Sequence, residues 1–275
     1  MKNKFFLLTI YFLCLNLHAS ILKSEHTENE FSILLPKNSL DLIDIKSMYE
    51  FLYYKIAHDG YYFIYPNHAY IFFDIYLNAS TRLRSRFKHS NKNNLNPLSW
   101  LKTLNSTPTR VEFQKKIQLD RLSDYSNAKE LRYDIFSENT VRDYNLYKKY
   151  RNIMANLFYK PNVNYLISQR RRLHISKKTK FGQGNNPDHI FLVSFDISYL
   201  IKKDIICGPH IEMEIELERN IRPALKNKED LYSYKNKMVS IKNIILNYLK
   251  NHDIKHKLTH KPKLMILYEK CKNIN

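Results

Sequence analysis

The sequence predicts an α+β protein, an antiparallel sheet with helices packed on it, and three observations point that way. The centre of the chain breaks into short strand-like runs, Arg110 to Leu119, Lys129 to Phe136, Tyr144 to Tyr150, Asn156 to Tyr159, Tyr165 to Ile175 and Ile190 to Ser198. Turn formers such as Ser137-Glu138-Asn139, Lys160-Pro161-Asn162 and Gly182 to Pro187 separate several of them. In His210-Ile-Glu-Met-Glu-Ile-Glu-Leu-Glu-Arg219, glutamates alternate with Met213, Ile215 and Leu217, the period of two that sends alternate side chains to opposite faces of a strand. From Lys228 to Leu249, Leu231, Tyr234, Met238, Ile241, Ile245 and Tyr248 recur in steps of three and four, the stripe of a helix that packs on a sheet.

The remaining elements follow in order. Lys2 and Lys4 precede an apolar run from Phe5 to Leu17, and Leu17-His18-Ala19 ends on a small residue, the pattern of a signal peptide over residues 1–19. That run is too short for a membrane-spanning helix, which needs roughly 20 apolar residues. The sequons Asn78-Ala79-Ser80 and Asn105-Ser106-Thr107 are compatible with secretion. From Ser39, which offers a cap, to about Ala57 the apolar spacing of Leu40, Ile43, Ile45, Met48, Leu52 and Ile56 reads as a helix. Tyr70 to Leu77 reads as a strand carrying one acid, Asp74; Asn91 to Asn96 as a loop; Pro97 to Leu104 as a short helix. Pro223 marks a break after the acidic strand, and Lys263 to Tyr268 reads as a last strand. No repeat or linker divides the chain, so residues 20–275 are expected to form one domain.

Composition narrows the functional classes. With 45 Lys and Arg against 26 Asp and Glu, the formal charge of +19 favours polyanionic partners such as nucleic acid, polyphosphate or acidic membranes. Only 4 glycines occur in 275 residues, which argues against a glycine-cradled nucleotide site. Cys14, Cys207 and Cys271 allow at most one disulfide, and without a CxxC or HExxH motif a thiolate or imidazole zinc site has little basis.

The candidate chemistry lies on the acidic strand. Neighbouring carboxylates on one strand face are about 7 Å apart, so their repulsion favours a divalent cation or basic side chains between them. Mg²⁺ and Mn²⁺ take such hard oxygen ligands. The alternative is a solvated edge strand whose acids pair with lysines and guard against aggregation. Basic complements precede it: Arg170 and Arg172, and likewise Lys178 and Lys180, are two residues apart and can hold phosphate oxygens from one face. Ser194, Asp196 and Ser198 share a further face. A curved sheet that sets such acids and bases across a cavity has the parts of a metal-dependent phosphohydrolase.

On these residues the sequence resembles the fungal and protozoal metal-dependent RNA 5′-triphosphatases of the triphosphate tunnel metalloenzyme superfamily. His210 to Leu217 is similar to that family's Glu-x-Glu-x-Glu strand, Phe195-Asp196-Ile197-Ser198 looks like its Asp-x-Thr strand, and a long helix follows. The resemblance implies a tunnel-like antiparallel β-barrel that removes the γ-phosphate from 5′-triphosphate RNA, the first step of cap formation. It implies Glu212, Glu214 and Glu216 as ligands of Mg²⁺ or Mn²⁺, with Asp74 a candidate from the first strand. Arg132, Lys148, Arg170, Arg172, Lys178 and Lys180 would hold the triphosphate, and Asp196 would orient a basic side chain. The family's Lys-x-Arg strand corresponds either to Arg170-Arg171-Arg172 or to Lys178-Thr179-Lys180. For its first-strand Glu-x-Glu pair, Phe72-Phe73-Asp74 and Glu112-Phe113-Gln114 each offer one acid, and Glu28-Asn29-Glu30 has the spacing. An RNA guanylyltransferase partner, a homodimer and a nuclear location are further implications. A secreted basic protein without activity is the alternative that the N-terminus supports.

Overall fold

The computed structural model describes residues 24–39, 43–65, 69–78, 80–89, 94–122, 125–157, 165–177, 188–202, 205–217, 228–259 and 261–272. The signal-like segment 1–19, Lys178, Lys180 and Glu218 lie outside the described residues, as do the turns around Pro161 and Gly182. The architecture is α+β. Its eleven strands in chain order are β1 (Ser24–Leu35), β2 (Tyr62–Ile64), β3 (Ala69–Asn78), β4 (Thr81–His89), β5 (Arg110–Leu122), β6 (Tyr125–Ser137), β7 (Thr140–Val141), β8 (Tyr165–Lys177), β9 (Asp188–Lys202), β10 (Ile205–Leu217) and β11 (Lys257–Thr259). They form one antiparallel sheet in the order β11-β1-β10-β9-β8-β3-β4-β5-β6-β7, with β2 alongside β8. β1 has a second partner: residues Glu30–Leu35 pair with β10, whereas Ser24–Glu30 pair with β6, far along the succession.

Alternation sorts the side chains of this sheet into an apolar and a polar face. Phe31, Ile33 and Leu35 of β1, Val193, Phe195 and Ile197 of β9, and Ile211, Met213 and Ile215 of β10 belong to one apolar core. Among the helices that contribute to the same core, α1 (Ile45–Ile56) and α4 (Lys228–Asn251) do so through Met48, Leu52, Ile56, Met238, Ile241, Ile245 and Leu249. α4 realises the predicted stripe from Tyr234 onward. Ile241 is fully buried, so Ile241→Ala should cost about 2–5 kcal/mol in urea unfolding; a loss under about 0.5 kcal/mol would place the stripe at the surface. α1 begins at Ile45 with Asp44 as its cap, accepting from the Lys46 amide, six residues later than the expected start at Ser39.

Two expected strands are helices. Tyr144 to Tyr150, and Asn156 of the next expected strand, belong to α3 (Tyr144–Leu157). The Asp143 carboxylate accepts from the Leu146 amide and fixes the first turn. Tyr147 stacks on Phe136 at 4.9 Å and on Tyr150 at 5.9 Å, so the aromatics follow helical spacing and not strand alternation. Lys263 to Tyr268 lies in α5 (Lys263–Lys272), which follows Pro262 and buries Leu264, Ile266, Leu267 and Cys271. Pro262 opens the helix by accepting from the Met265 amide, and a disulfide from Cys271 to Cys207 ties it to β10. Pro97 to Leu104 is helical as expected, with α2 (Pro97–Leu101) running into a 3₁₀ turn. No helix among the described residues is long and apolar enough to cross a membrane.

Candidate functional site on the polar face of the sheet

The polar face is set by strand register. Arg170 on β8 stands opposite Asp196 on β9, which stands opposite Glu212 on β10; one step along, Arg172, Ser194, Glu214 and Ser32 of β1 form the next row. Glu216 is opposite Glu30 of β1. On the other side, Asp74 on β3 faces Arg84 on β4, which faces Glu112 on β5. β10 reaches this register through a bulge between Cys207 and His210. Gly208 makes that bulge possible, for its φ of 141° and a Cβ position only 2.9 Å from the Tyr199 ring leave no room for a side chain.

Two nests of opposite charge occupy this face. In the first, the Arg170 guanidinium donates to Asp196 Oδ2 at 2.9 Å through Nε and to Glu214 Oε2 at 2.6 Å through Nη2. The Lys263 ammonium, entering from α5, donates to Asp196 Oδ2, lies 2.7 Å from Glu214 Oε1 and 3.6 Å from Glu212 Oε2. His210 Nε2 lies 2.9 Å from Glu212 Oε2. In the second, Arg84 makes a bidentate pair with Asp74, both bonds at 2.7 Å, and Arg82 adds an ion pair at 3.5 Å. Arg132 bonds Glu130, Arg110 lies 3.2 Å from Glu112, and Lys116 reaches Glu30 at 2.9 Å.

Burial alone would raise every carboxyl here, because a low dielectric penalises the charged form. The neighbouring cations more than offset it. Asp74 is held below the usual range by Arg84 and Arg82, Glu112 by Arg132 and Arg110, Glu212 by Lys263 and the His210 bond, and Glu214 far below by Arg170 and Lys263. The cations respond in kind. Burial pulls Lys263 and Arg170 down, yet Asp196 and the glutamates around them hold both pKa values above normal.

Aromatic rings flank the arginines of this face. The Arg84, Arg170 and Arg172 guanidiniums lie 4.8, 5.4 and 5.3 Å from the Phe72 ring centre, and Arg86 and Arg172 lie 4.9 and 5.4 Å from that of Tyr70. Ring faces hold such cations without neutralising them. Burial pushes the Arg86 pKa down, and its Nε donates to Thr109 Oγ1. Planar guanidinium forks of this kind match phosphate oxygens in geometry and charge.

Of the residues expected from sequence, Glu212, Glu214, Glu216, Asp196, Arg170 and Arg172 come together on one face, and Asp74 and Arg132 lie in the second nest. Lys148 does not join them: it is exposed on α3, because the segment is helical. Other participants were not foreseen. Arg82, Arg84 and Arg86 alternate on β4, the same two-residue spacing that singled out Arg170 and Arg172, and so could have been found. Lys116, Glu130 and Lys263 carry no such signal.

The expected metal ligands are Glu212, Glu214, Glu216 and Asp74. Asp74 is bonded by Arg84, while Glu212 and Glu214 surround the Lys263 ammonium, and no group of three or more His, Cys, Asp or Glu among the described residues is disposed to hold a metal ion. With Lys263 in place, these residues do not fit a divalent cation.

No protein-family model matches the sequence, and no curated protein matches it. Solved structures similar at low identity include the following three. A conserved hypothetical protein from Pyrococcus furiosus is 13% identical with a TM-score of 0.35, over 82% of this chain and 94% of that one. The Mimivirus capping enzyme triphosphatase is 11% identical with a TM-score of 0.34, over 79% and 89%. The S. pombe Pct1 RNA triphosphatase is 9% identical with a TM-score of 0.37, over 86% and 88%.

Proposed function

We propose that the polar face lines a tunnel that takes the 5′-triphosphate end of RNA and hydrolyses its γ-phosphate, as the acidic strand's resemblance to RNA triphosphatases implies. The observation that carries this reading is the row of Arg82, Arg84, Arg86, Arg170 and Arg172 on one face of β4 and β8, fixed by buried carboxylates and the Phe72 and Tyr70 rings. The double pairing of β1 with β10 and β6 supports a sheet curled around that row. The buried carboxylates hold these guanidiniums in place, and prealigned donors stabilise the charge of a transferring phosphoryl group without reorganising. In the reaction, water attacks the γ-phosphorus, the bond to the β-phosphate oxygen breaks, and phosphate and a 5′-diphosphate RNA end leave. This reading assigns Glu216, opposite Glu30 on the strand register, to orient that water. The diphosphate end is the substrate of an RNA guanylyltransferase, the expected partner in a nuclear role.

Phosphate release from triphosphate-ended RNA, compared with nucleoside triphosphates, in Mg²⁺, Mn²⁺ or EDTA, tests the reading. Release is expected from wild type and should fall by about 10²-fold or more in Arg172→Met. No release from any of these substrates under any of the three conditions would reject hydrolysis.

One observation favours the second reading, a secreted basic protein without activity: the Cys207–Cys271 disulfide belongs to an oxidising compartment. A mature chain beginning near Ser20 in material from the native source would support it, and an intact Met1 or Lys2 terminus would remove it.

A further inference from the structure

We propose that Lys263 is the resident counter-cation of the Asp196, Glu212 and Glu214 nest, that it and a divalent cation exclude each other there, and that α5 is therefore a tethered stopper. This deepens the reading of the same site by assigning its cation, and its test needs no phosphate ligand, so the two can fail separately.

Three carboxylates surround one ammonium: Asp196 accepts from Lys263 Nζ, Glu214 lies at 2.7 Å and Glu212 at 3.6 Å. An all-oxygen shell of this kind is what a hard cation takes. Lys263 and Arg170 bring two positive charges to three carboxylates, and the buried Asp196 Oδ1 has no hydrogen-bond partner among the described residues. A divalent ion at the same point would answer three carboxylates better, but it cannot enter while Nζ occupies the centre.

The helix that brings Lys263 is held at both ends. Leu264, Leu267 and Cys271 pack with Leu166, Leu200 and Cys207 in a small apolar cluster apart from the main core. Leu166 on β8 and Leu200 on β9 lie four residues from Arg170 and Asp196, hence on their side of the sheet, so α5 covers the end of the polar face. The Cys207–Cys271 disulfide anchors the last turn and Lys263 the first. Cation exchange thus requires α5 to shift, and the disulfide opposes that shift.

Titration calorimetry with MnCl₂ on the full chain tests this, using wild type, Lys263→Met, Lys263→Arg and Cys271→Ser. Lys263→Met keeps the length and removes the charge. It should bind Mn²⁺ at least tenfold more tightly than wild type, and its melting temperature should rise with Mn²⁺ but not with NaCl of equal ionic strength. Lys263→Arg should behave like wild type, and Cys271→Ser should fall between wild type and Lys263→Met. A Lys263→Met protein that folds only with Mn²⁺ present would support the exchange. Equal Mn²⁺ affinity in wild type and Lys263→Met, no binding by either, or failure of Lys263→Met to fold even with Mn²⁺ would overturn it.

Discussion

Replacing Arg170 by methionine is expected to destabilise the protein by about 3–5 kcal/mol, the cost of breaking a buried ion pair from one side. Arg170 is 8% exposed and is bonded to both Asp196 and Glu214, so its loss strands two buried carboxylates with Lys263 alone between them. The control is Lys46→Met, which removes an exposed pair with Glu50 at 3.6 Å on α1 and should change stability by no more than about 0.5 kcal/mol. Urea midpoints for the two variants check the contrast. A loss below about 1 kcal/mol for Arg170→Met would mean that water reaches the nest and screens it.

The second large effect is acid unfolding. Asp74, Glu112, Glu212 and Glu214 all have folded pKa values below their ordinary ones, held there against burial by the cations beside them. A carboxyl depressed in the folded state contributes stability that is present above its unfolded value, about 3.9 for Asp and 4.3 for Glu, and lost as pH falls through the folded value. Stability should therefore decline from about pH 5 downward, by about 1.4 kcal/mol per pH unit for each proton taken up on unfolding. Two protons would give about 2.7 kcal/mol per unit. Lys263 acts at the other end: its folded pKa is raised, so its contribution is complete below the unfolded value of about 10.4 and fades as pH rises toward the folded one. Glu214→Gln should make the acid limb shallower by about one proton's worth. Urea unfolding at a series of pH values measures both limbs, and a stability that stays flat down to pH 3 would contradict the buried pairing.

Much of this arrangement is legible in the sequence because strand alternation is a strong local rule. The run from His210 to Leu217 shows both of its faces, apolar at Met213 and Ile215 and acidic at Glu212 and Glu214, and β10 places them so. The helix after Lys228 is as plain, since its stripe has no strand reading. Short aromatic and lysine-rich segments misled for the opposite reason. Tyr144 to Tyr150 is rich in residues with strand preference, and the helix there is decided by the Asp143 cap and by stacking on Phe136, a residue of another element. Lys263 to Tyr268 is apolar enough for a strand, and its helix depends on the cluster with Leu166 and Leu200 and on the bond to Cys207. That misreading hid Lys263 from the site, because only the helix brings its ammonium to Glu214. Glu30 was visible by spacing within Glu28-Asn29-Glu30, but its place opposite Glu216 depends on a pairing between strands nearly the whole chain apart.

Inorganic tripolyphosphate tests anion binding at this buried charged face without RNA, partner or turnover. Calorimetric titration in EDTA at low ionic strength should show saturable one-to-one binding that weakens as salt is raised. Arg86 and Arg172 flank Tyr70, and Arg86 carries its hydrogen bond to a hydroxyl, Thr109 Oγ1. Arg86→Met and Arg172→Met should each weaken binding at least tenfold, about 1.4 kcal/mol, with native circular dichroism retained. Binding that is absent in wild type, or that is equal in wild type and both variants, would contradict the account.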